Sequence, residues 1–406
     1  MFSIFINSII NSVVILYSLG QMGRIQIMEG VALYAYEVLI VIWTFTLIIK
    51  YRTEPLKYFY RHFKWTFRFL LFLFITLFIS YSWFDFKSNI VATLYYLRLL
   101  IYFVWFIYVR SYIASHDGWY RKASRVITWL MAWVAGTSIA QYLFYPDLRT
   151  LMRFGWDPHL NRMVGLYLEP PVAGAIYGLI LLYAFFYVKS NRTRNIITSV
   201  FFICLLLTYS RGSYFAAVVT IFVMMIRKIH LNMAIEATTD KTSKKHWNRF
   251  ILIVLLGGLV FMSFLPKEGE GMDLWRTSTV YSRLANYEEA MSIFEQYPII
   301  GVGYNHIGSV RTFLSHAPYP DHSAASFQSS FLIILITSGV IGLLLFLRML
   351  YEFMELSIFT EYAVLYLGVA SLTDNVILHP IILFILFFFI VSVPDKLIPL
   401  RHRANY

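Results

Sequence analysis

The sequence predicts an all-α, polytopic membrane protein with about twelve transmembrane helices. Hydrophobic residues make up 59% of the 406-residue chain, well above their share in an ordinary soluble domain, and the mean hydropathy is +0.64. Apolar segments long enough to cross a bilayer recur along the whole chain. We therefore expect residues 1–406 to form a single transmembrane domain. The first apolar segment lacks a signal-peptide cleavage pattern and is predicted to be a span.

Individual spans are predicted wherever an apolar segment approaches about 20 residues. In this arrangement every loop rich in lysine and arginine falls on one side, so the positive-inside rule places both termini in the cytoplasm. The net charge of +12 thus orients the chain in a membrane, and we do not expect nucleic-acid binding. The predicted spans are residues 4–20, 31–50, 66–83, 89–109, 123–144, 169–188, 195–209, 211–227, 250–265, 327–347, 358–374 and 379–394.

The predicted outer side receives one long loop, residues 266–325. This loop carries four basic and seven acidic side chains, so positive charge does not hold it in the cytoplasm. Loops longer than about 12–15 residues are usually functional or disordered. Apolar and aromatic residues at helical spacing in residues 287–297 predict a short helix on the outer surface. We therefore expect chemistry in this loop.

Two arginines are candidates for binding an anion on the outer side. Arg211 lies at the predicted turn between two spans, among small polar residues that allow close approach of a ligand. Because an arginine at a membrane edge is costly to desolvate, binding is favoured over snorkelling to the headgroups. Arg283, in the long loop, could bind the same anion or pair with Glu288 or Asp273. Together the two arginines suggest a diphosphate site.

Further charged residues lie at or inside the predicted spans. Glu169 directly precedes a Pro-Pro helix start, where it could complement the helix dipole, act as a general base or accept a hydrogen bond from a sugar. Arg162 lies at the entry to the same span. Arg98 and Glu37 lie within spans, where charges are functional candidates by default, but they could pair with each other. Arg98 could also pair with Asp374, and for Glu37 we favour a structural role.

No metal or cofactor is expected. His306, His316 and His322 share the long loop with Asp321, but their spacing matches no zinc signature. The sequence contains no phosphate-binding P-loop, dinucleotide fingerprint or nucleophile elbow, so ATP-driven transport is not indicated. The single cysteine, Cys204, lies in an apolar segment and is predicted to be a small buried hydrophobe.

Short motifs follow one another in order over residues 160–345. They are Arg162…Gly165…Glu169-Pro170, then Thr208-Tyr209-Ser210-Arg211-Gly212, then Ser282-Arg283, then Pro298…Gly301-Val302-Gly303, and finally Ser338-Gly339…Gly342-Leu343. This series resembles the bacterial O-antigen ligase and Wzy-type polymerase superfamily. The resemblance implies a metal-independent, inverting glycosyltransferase of the GT-C type. Its donor would be an undecaprenyl-diphosphate-linked sugar on the outer face of the plasma membrane, with Arg211 and Arg283 holding the diphosphate.

Two departures from the ligase pattern favour a polymerase. Ligases of the superfamily usually carry His-Asn before the late span, whereas residues 326–330 here are Ser, Phe, Gln, Ser and Ser. Their Asn-Pro-Asn-like segment is replaced by Glu-Pro-Pro at residues 169–171. We therefore expect an enzyme that joins lipid-linked repeat units into a surface polysaccharide. The general base stays open among four residues, Glu169, His306, Asp321 and His322.

The remaining expectations concern the substrate and its partners. Arg98 and Arg162 could contact phosphate or sugar, Tyr209 and Tyr304 could stack on sugar faces, and Ser210 adds a hydroxyl. The partners would be the lipid-linked oligosaccharide, membrane lipids, a chain-length regulator and a flippase. Two alternatives stay open: a ligase that transfers finished glycan to a lipid or protein, and a transporter or flippase. The inverted repeats that would favour a transporter are not evident in the sequence.

Overall fold

The computed structural model describes residues 2–28, 30–114, 118–235, 277–315 and 327–393. Helices dominate this part of the chain, with short 3-10 helices at Gly20–Gly23, Arg149–Phe154 and Gly165–Tyr167. The α-helices are α1 (Phe2–Tyr17), α2 (Ala35–Tyr51), α3 (Glu54–His62), α4 (Lys64–Ser80), α5 (Phe86–Ala114), α6 (Trp119–Phe144), α7 (Pro170–Tyr187), α8 (Asn191–Leu207), α9 (Arg211–Ile235), α10 (Ser278–Gln296), α11 (Ile307–Ser315), α12 (Ser330–Met354), α13 (Ile358–Ala370) and α14 (Pro380–Val391).

The predicted spans and the helices agree in position more than in number. Eleven of the twelve predicted segments contain a helix, and the twelfth, residues 250–265, lies outside the described residues. By length and composition, four described helices could cross a membrane: Phe86–Ile113, Trp119–Phe144, Pro170–Tyr187 and Ser330–Met354. Helices α3 and α4, bent by 102° at their junction, would make a fifth. The chain is thus a multi-pass membrane protein, and the count of twelve stays a prediction.

A β-hairpin near the N-terminus corrects the all-α prediction. Strands β1 (Arg24–Met28) and β2 (Val31–Tyr34) pair antiparallel, with Arg24 opposite Tyr34. Polar and apolar residues alternate in β1, which is the period of a strand. The predicted span 31–50 therefore starts as a strand. Helix α2 begins only after Tyr34, whose backbone N–H donates to the Glu37 carboxylate at 2.8 Å.

Helix α14 lies at the centre of the molecule. Every side chain from Ile381 to Val391 is buried, as expected for a helix that is apolar on all its faces. Helices α5, α7 and α13 pack around it. Aromatic rings fill the contacts, with Phe384 against Trp105 at 5.4 Å and Phe387 against Phe106 at 4.8 Å between centroids. Cys204 is buried, as predicted.

The motif around Gly339 is explained by a break in helix α12. Gly339 has φ 64° and ψ −169°, and a side chain there would overlap the carbonyl group of Ile299. Three backbone hydrogen bonds fasten the segment after α10 to this break: Val302 N–H to Ile336, Gly303 N–H to Thr337, and Val340 N–H to Pro298, at 2.9 to 3.0 Å. The two motifs that sequence placed apart, residues 298–303 and 338–342, therefore form one joint.

Candidate functional site

A cavity of about 1560 Å³ opens where several helices begin or end. It is larger than the roughly 300–1,000 Å³ of most small-molecule sites. Its lining is rich in charge, with five arginines (Arg24, Arg98, Arg162, Arg211 and Arg283) and four carboxylates (Asp85, Asp157, Glu169 and Asp374). Eight of the eleven site residues predicted from sequence line it: Arg98, Arg162, Glu169, Tyr209, Ser210, Arg211, Arg283 and Tyr304.

A tight turn between α8 and α9 presents Arg211 to the cavity. Tyr209 in this turn has φ 51°, in the left-handed region that is unfavourable for a residue with a side chain. The buried guanidinium of Arg162 supports the turn, since its Nε and Nη2 donate to the carbonyl oxygens of Thr208 and Tyr209 at 2.8 and 3.0 Å. Arg162 therefore holds the backbone from which the helix carrying Arg211 begins.

Asp374 connects the second arginine to the same turn. Arg283 Nη2 donates to Asp374 Oδ1 at 2.9 Å, so Arg283 pairs with Asp374 and not with Glu288. The other oxygen, Oδ2, lies against the start of α9: a Cβ atom built on Gly212 would be 2.7 Å from it. The carboxylate thus lies between Arg283 and the residue next to Arg211. Within the described residues, Arg283 Nε is buried and has no hydrogen-bond partner.

Glu169 lies at the start of α7, held by residues near the N-terminus. Gln21 Nε2 donates to Glu169 Oε1 at 3.1 Å, and the Tyr34 hydroxyl donates to Gln21 Oε1 at 2.8 Å. Burial raises the pKa of Glu169 to about 7, and the nearby carboxylates of Asp157 and Asp374 also raise it. A carboxylate with this pKa is suited to accept a proton near neutral pH.

Arg98 is bound by a carboxylate of the protein. Its Nε and Nη2 donate to the two oxygens of Glu37 at 2.7 and 2.8 Å. The same carboxylate accepts from the Tyr102 hydroxyl at 2.7 Å and from the Tyr34 backbone. Arg98 therefore pairs with Glu37 and not with Asp374. Although it lines the cavity, two of its donor nitrogens are engaged inside the protein.

Residues 196–347 match the family model described as O-antigen ligase. This confirms the family resemblance over that range and supports a membrane enzyme of the ligase or polymerase type. No curated protein sequence matches the chain. The matched range contains Arg211 and Arg283, whereas Glu169 and Asp374 lie outside it.

The sequence analysis grouped His306 with the substrate-binding residues. In the structure His306 lies behind the cavity and does not line it. Its side chain is fully buried, stacked on Phe84 with 4.4 Å between ring centroids. Its Nδ1 lies 3.2 Å from Ser80 Oγ and its Nε2 lies 3.0 Å from Asn89 Oδ1. Burial lowers its pKa to about 4. We therefore remove His306 from the candidate site as a base or a ligand, because both ring nitrogens already have hydrogen-bond partners inside the protein.

The other predicted residues fall into two groups. Tyr209 and Tyr304 line the cavity but are only 3% and 8% exposed, which leaves little ring face for a sugar. Asp321 and His322 lie outside the described residues. Among the residues that the structure describes, no group of His, Cys, Asp or Glu is placed to hold a metal ion.

Sequence reasoning missed several residues that complete the site. Asp374 was considered only as a partner for Arg98. Gln21 and Arg24 directly follow the first apolar segment, and this polar interruption was the available signal. Arg24 stacks over the Trp156 ring at 5.5 Å. His379 lines the cavity just before α14, where burial lowers its pKa to about 3 and keeps it neutral.

Proposed function

We propose that the protein is a polymerase that joins undecaprenyl-diphosphate-linked oligosaccharide repeat units on the outer face of the plasma (inner) membrane. The observation that carries the proposal is a cavity lined by Arg211, Arg283 and Glu169, in which Arg283 pairs with Asp374 and Asp374 lies against Gly212 beside Arg211. Arginine suits a diphosphate because its guanidinium stays charged and binds phosphate oxygens in pairs.

The distribution of charge supports an outward-facing cavity. Helix α7 begins at the cavity with Pro170 and ends beside the basic connection to α8, in which Lys189 lies in the loop and Arg192 and Arg194 lie in the first turn of α8. Helix α9 likewise begins at the cavity with Arg211 and runs towards Arg227. The cavity thus lies at the helix ends opposite the basic loops. By the positive-inside rule, those loops are cytoplasmic and the cavity faces out.

In the proposed reaction, a hydroxyl at the non-reducing end of one repeat unit attacks the anomeric carbon of the growing chain. A new C–O bond forms as the bond from that carbon to the diphosphate breaks, and undecaprenyl diphosphate leaves with the electron pair. Attack opposite the leaving group inverts the anomeric centre. Arg211 and Arg283 offset the negative charge that develops on the diphosphate. Holding both glycans in one cavity supplies the advantage of proximity.

Among the cavity side chains, Glu169 is best suited to accept the proton of the attacking hydroxyl. Its carboxylate accepts a hydrogen bond from the neutral amide of Gln21, and its pKa lies near 7. Asp374 is already paired with a cation, and the low pKa of His379 makes that imidazole a weak base. Matching between the pKa of a base and the working pH favours Glu169.

The choice of polymerase over ligase rests on the segment before α12. At the place where the related ligases carry His-Asn, Gln328 lines the cavity. An amide cannot act as the general base that an imidazole could provide. The alternatives are a ligase that needs a second acceptor and a transporter that forms no glycosidic bond.

The test uses full-length protein in nanodiscs with the host's lipid-linked repeat unit as its sole substrate. We expect a ladder of oligomers, whereas a ligase would require a lipid or protein acceptor and a transporter would leave the substrate unchanged. Arg211→Ala and Arg283→Ala should each abolish the ladder. Arg149→Ala is the matched control, because Arg149 is exposed, pairs with Asp147 and does not line the cavity. Unchanged products from both alanine variants in correctly inserted protein would show the assignment to be wrong.

A further inference from the structure

One wall of the cavity is helix α10, and its two ends carry different chemistry. Arg283 lies near its start and Gln296 is its last residue, and both line the cavity. Thirteen residues separate them, which corresponds to about 20 Å along a helix. The cavity therefore extends well beyond the arginine cluster, over a length that accommodates several linked sugars.

An exposed aromatic pair marks the far end of this wall. The rings of Trp83 and Tyr297 have centroids 5.6 Å apart and an interplanar angle of 35°. Both line the cavity, and they are 45% and 40% exposed. Their ring faces are therefore far more accessible than those of Tyr209 and Tyr304. An accessible aromatic face beside polar groups is the usual partner for the C–H face of a pyranose.

Polar side chains with free surface surround the aromatic pair. Asp85 and Gln296, near neighbours in sequence of Trp83 and Tyr297, line the cavity together with Asn305, and all three can exchange hydrogen bonds with sugar hydroxyls. Hydrogen bonds from Ser88 lower the pKa of Asp85, which keeps its carboxylate ionised as an acceptor. Lys87 adds an ammonium donor.

The turn that carries Trp83 is fixed to the segment that follows α10. Asn89 Nδ2 donates to the carbonyl oxygens of Tyr81 and Phe84 at 2.9 and 3.0 Å. His306 stacks on Phe84 and contacts Asn89. The buried imidazole of His306 therefore links the turn that carries Trp83 to the segment that carries Tyr297. This gives His306 a positioning role behind the aromatic pair in place of the chemical role expected from sequence.

We propose that Trp83 and Tyr297, with Asp85, Gln296 and Asn305, form a subsite for pyranose rings of an oligosaccharide, several sugars away from the reacting bond. The subsite makes a multi-sugar repeat unit, and not a single sugar, the substrate of the cavity. This proposal rests on the proposed function, because a glycan whose diphosphate is bound at Arg283 would reach the aromatic pair along α10.

Two probes with the full-length protein in nanodiscs test the subsite separately from the anion site. One is the free oligosaccharide repeat unit released from the host's surface polysaccharide, and the other is inorganic diphosphate. Trp83→Ala and Tyr297→Ala should each weaken oligosaccharide binding about three- to tenfold and leave diphosphate binding unchanged. Trp83→Phe, which keeps a ring, should retain most of the affinity. Binding is followed by titration calorimetry, with the thermal unfolding midpoint as a check on folding.

Trp129→Ala is the matched control. Trp129 and Trp133 form a second exposed aromatic pair, with 5.8 Å between ring centroids, that does not line the cavity. An equal loss of oligosaccharide binding in this variant would mean that exposed tryptophans act by anchoring in the bilayer, and would overturn the subsite. Wild-type oligosaccharide affinity in both Trp83→Ala and Tyr297→Ala would also overturn it and leave the proposed function standing. Wild-type protein that binds diphosphate but not oligosaccharide would overturn the subsite alone. Binding of neither probe would refute both proposals.

Discussion

Arg98 and Arg283 both line the cavity, and each pairs with a carboxylate of the protein. The two pairs differ in how many hydrogen bonds the carboxylate accepts. In the Arg98–Glu37 pair, two guanidinium nitrogens, one hydroxyl and one backbone N–H occupy the carboxylate, and the two side chains are 11% and 6% exposed. In the Arg283–Asp374 pair, one guanidinium nitrogen and the Thr373 hydroxyl donate to the carboxylate, and the two side chains of the pair are 23% and 15% exposed.

The difference separates a structural pair from an exchangeable one. The first pair is bidentate and enclosed, so breaking it would leave a buried charge without compensation. The second pair is monodentate and more accessible, and Arg283 Nε has no hydrogen-bond partner in the described part of the chain. Asp374 thus occupies a place that an incoming anion can take. Both arginines line the cavity, and the geometry of the carboxylate partner distinguishes the two pairs.

The largest effect is expected from breaking the enclosed pair. Arg98→Met should lower the free energy of unfolding by about 3–5 kcal/mol, because Glu37 would stay buried without a countercharge. The double variant Arg98→Met/Glu37→Leu should recover most of that loss. Thermal or denaturant unfolding in detergent measures both. The exposed pair supplies the control, since Arg149→Ala should leave the unfolding midpoint close to that of the wild type. An Arg98→Met single variant as stable as the wild type would mean that the Arg98–Glu37 pair is not a structural pair.

Breaking the accessible pair should affect catalysis and spare the fold. Arg283→Ala should lower kcat about 10²- to 10³-fold, the usual cost of losing one donor to a developing negative charge. Its unfolding midpoint should stay close to that of the wild type. Single-turnover polymerisation with the lipid-linked repeat unit measures the rate. If Arg283→Ala instead unfolded as readily as Arg98→Met, Arg283 would be a structural residue.

Removing the Asp374 carboxylate should strengthen anion binding at Arg283. Asp374→Asn frees Arg283 from its partner, so inorganic diphosphate should bind about fivefold more tightly, in keeping with the modest strength of a partly exposed ion pair. Asp147→Asn, in the exposed pair outside the cavity, should leave diphosphate affinity unchanged. Titration calorimetry distinguishes the two variants. Weaker binding in Asp374→Asn would mean that Asp374 positions Arg283 for the anion and does not compete with it.

The smallest effect is a shift in the pH dependence of polymerisation. Because burial raises the pKa of Glu169 to about 7, the base is protonated below that pH, and activity should rise as the pH increases through it. Gln21→Leu removes a hydrogen bond to the charged form, which should raise this pKa and move the acidic limb to higher pH. Glu169→Gln should abolish the limb together with most of the activity.

A pH profile of the ladder assay checks this prediction. Gln26→Leu, in the exposed hairpin strand, is the control and should leave the profile unchanged. An acidic limb that persists in Glu169→Gln would assign the proton acceptor to another group.

Eleven predicted spans contain a described helix, and eight of the eleven predicted site residues line the cavity. Apolar length alone placed α5, α6, α7 and α12, because long apolar segments have few other solutions in a bilayer. The hairpin was missed because the apolar residues of β2 run directly into those of α2. A short strand and a helix start look alike when both are apolar.

The pairing of charges could not be read from sequence. Arg98 was open to Glu37 or Asp374, which lie 61 positions before it and 276 positions after it in the chain. The choice depends on which helices pack together, and here α2 packs against α5. The role of His306 was likewise decided by packing, since the Phe84 ring and the Ser80 hydroxyl reach it only in the folded chain.

The joint at Gly339 has a consequence for how such enzymes diversify. The segment after α10 is fastened to α12 by hydrogen bonds between backbone groups, which form whatever side chains the segment carries. Residues of the proposed subsite, such as Tyr297 and Asn305, can therefore change without displacing the wall that holds Arg283. Under the proposed function, selection for a new polysaccharide can act at this subsite while the phosphate-binding residues keep their positions. The joint would then separate sugar specificity from catalysis, and Gly339 at its centre has no room for a side chain.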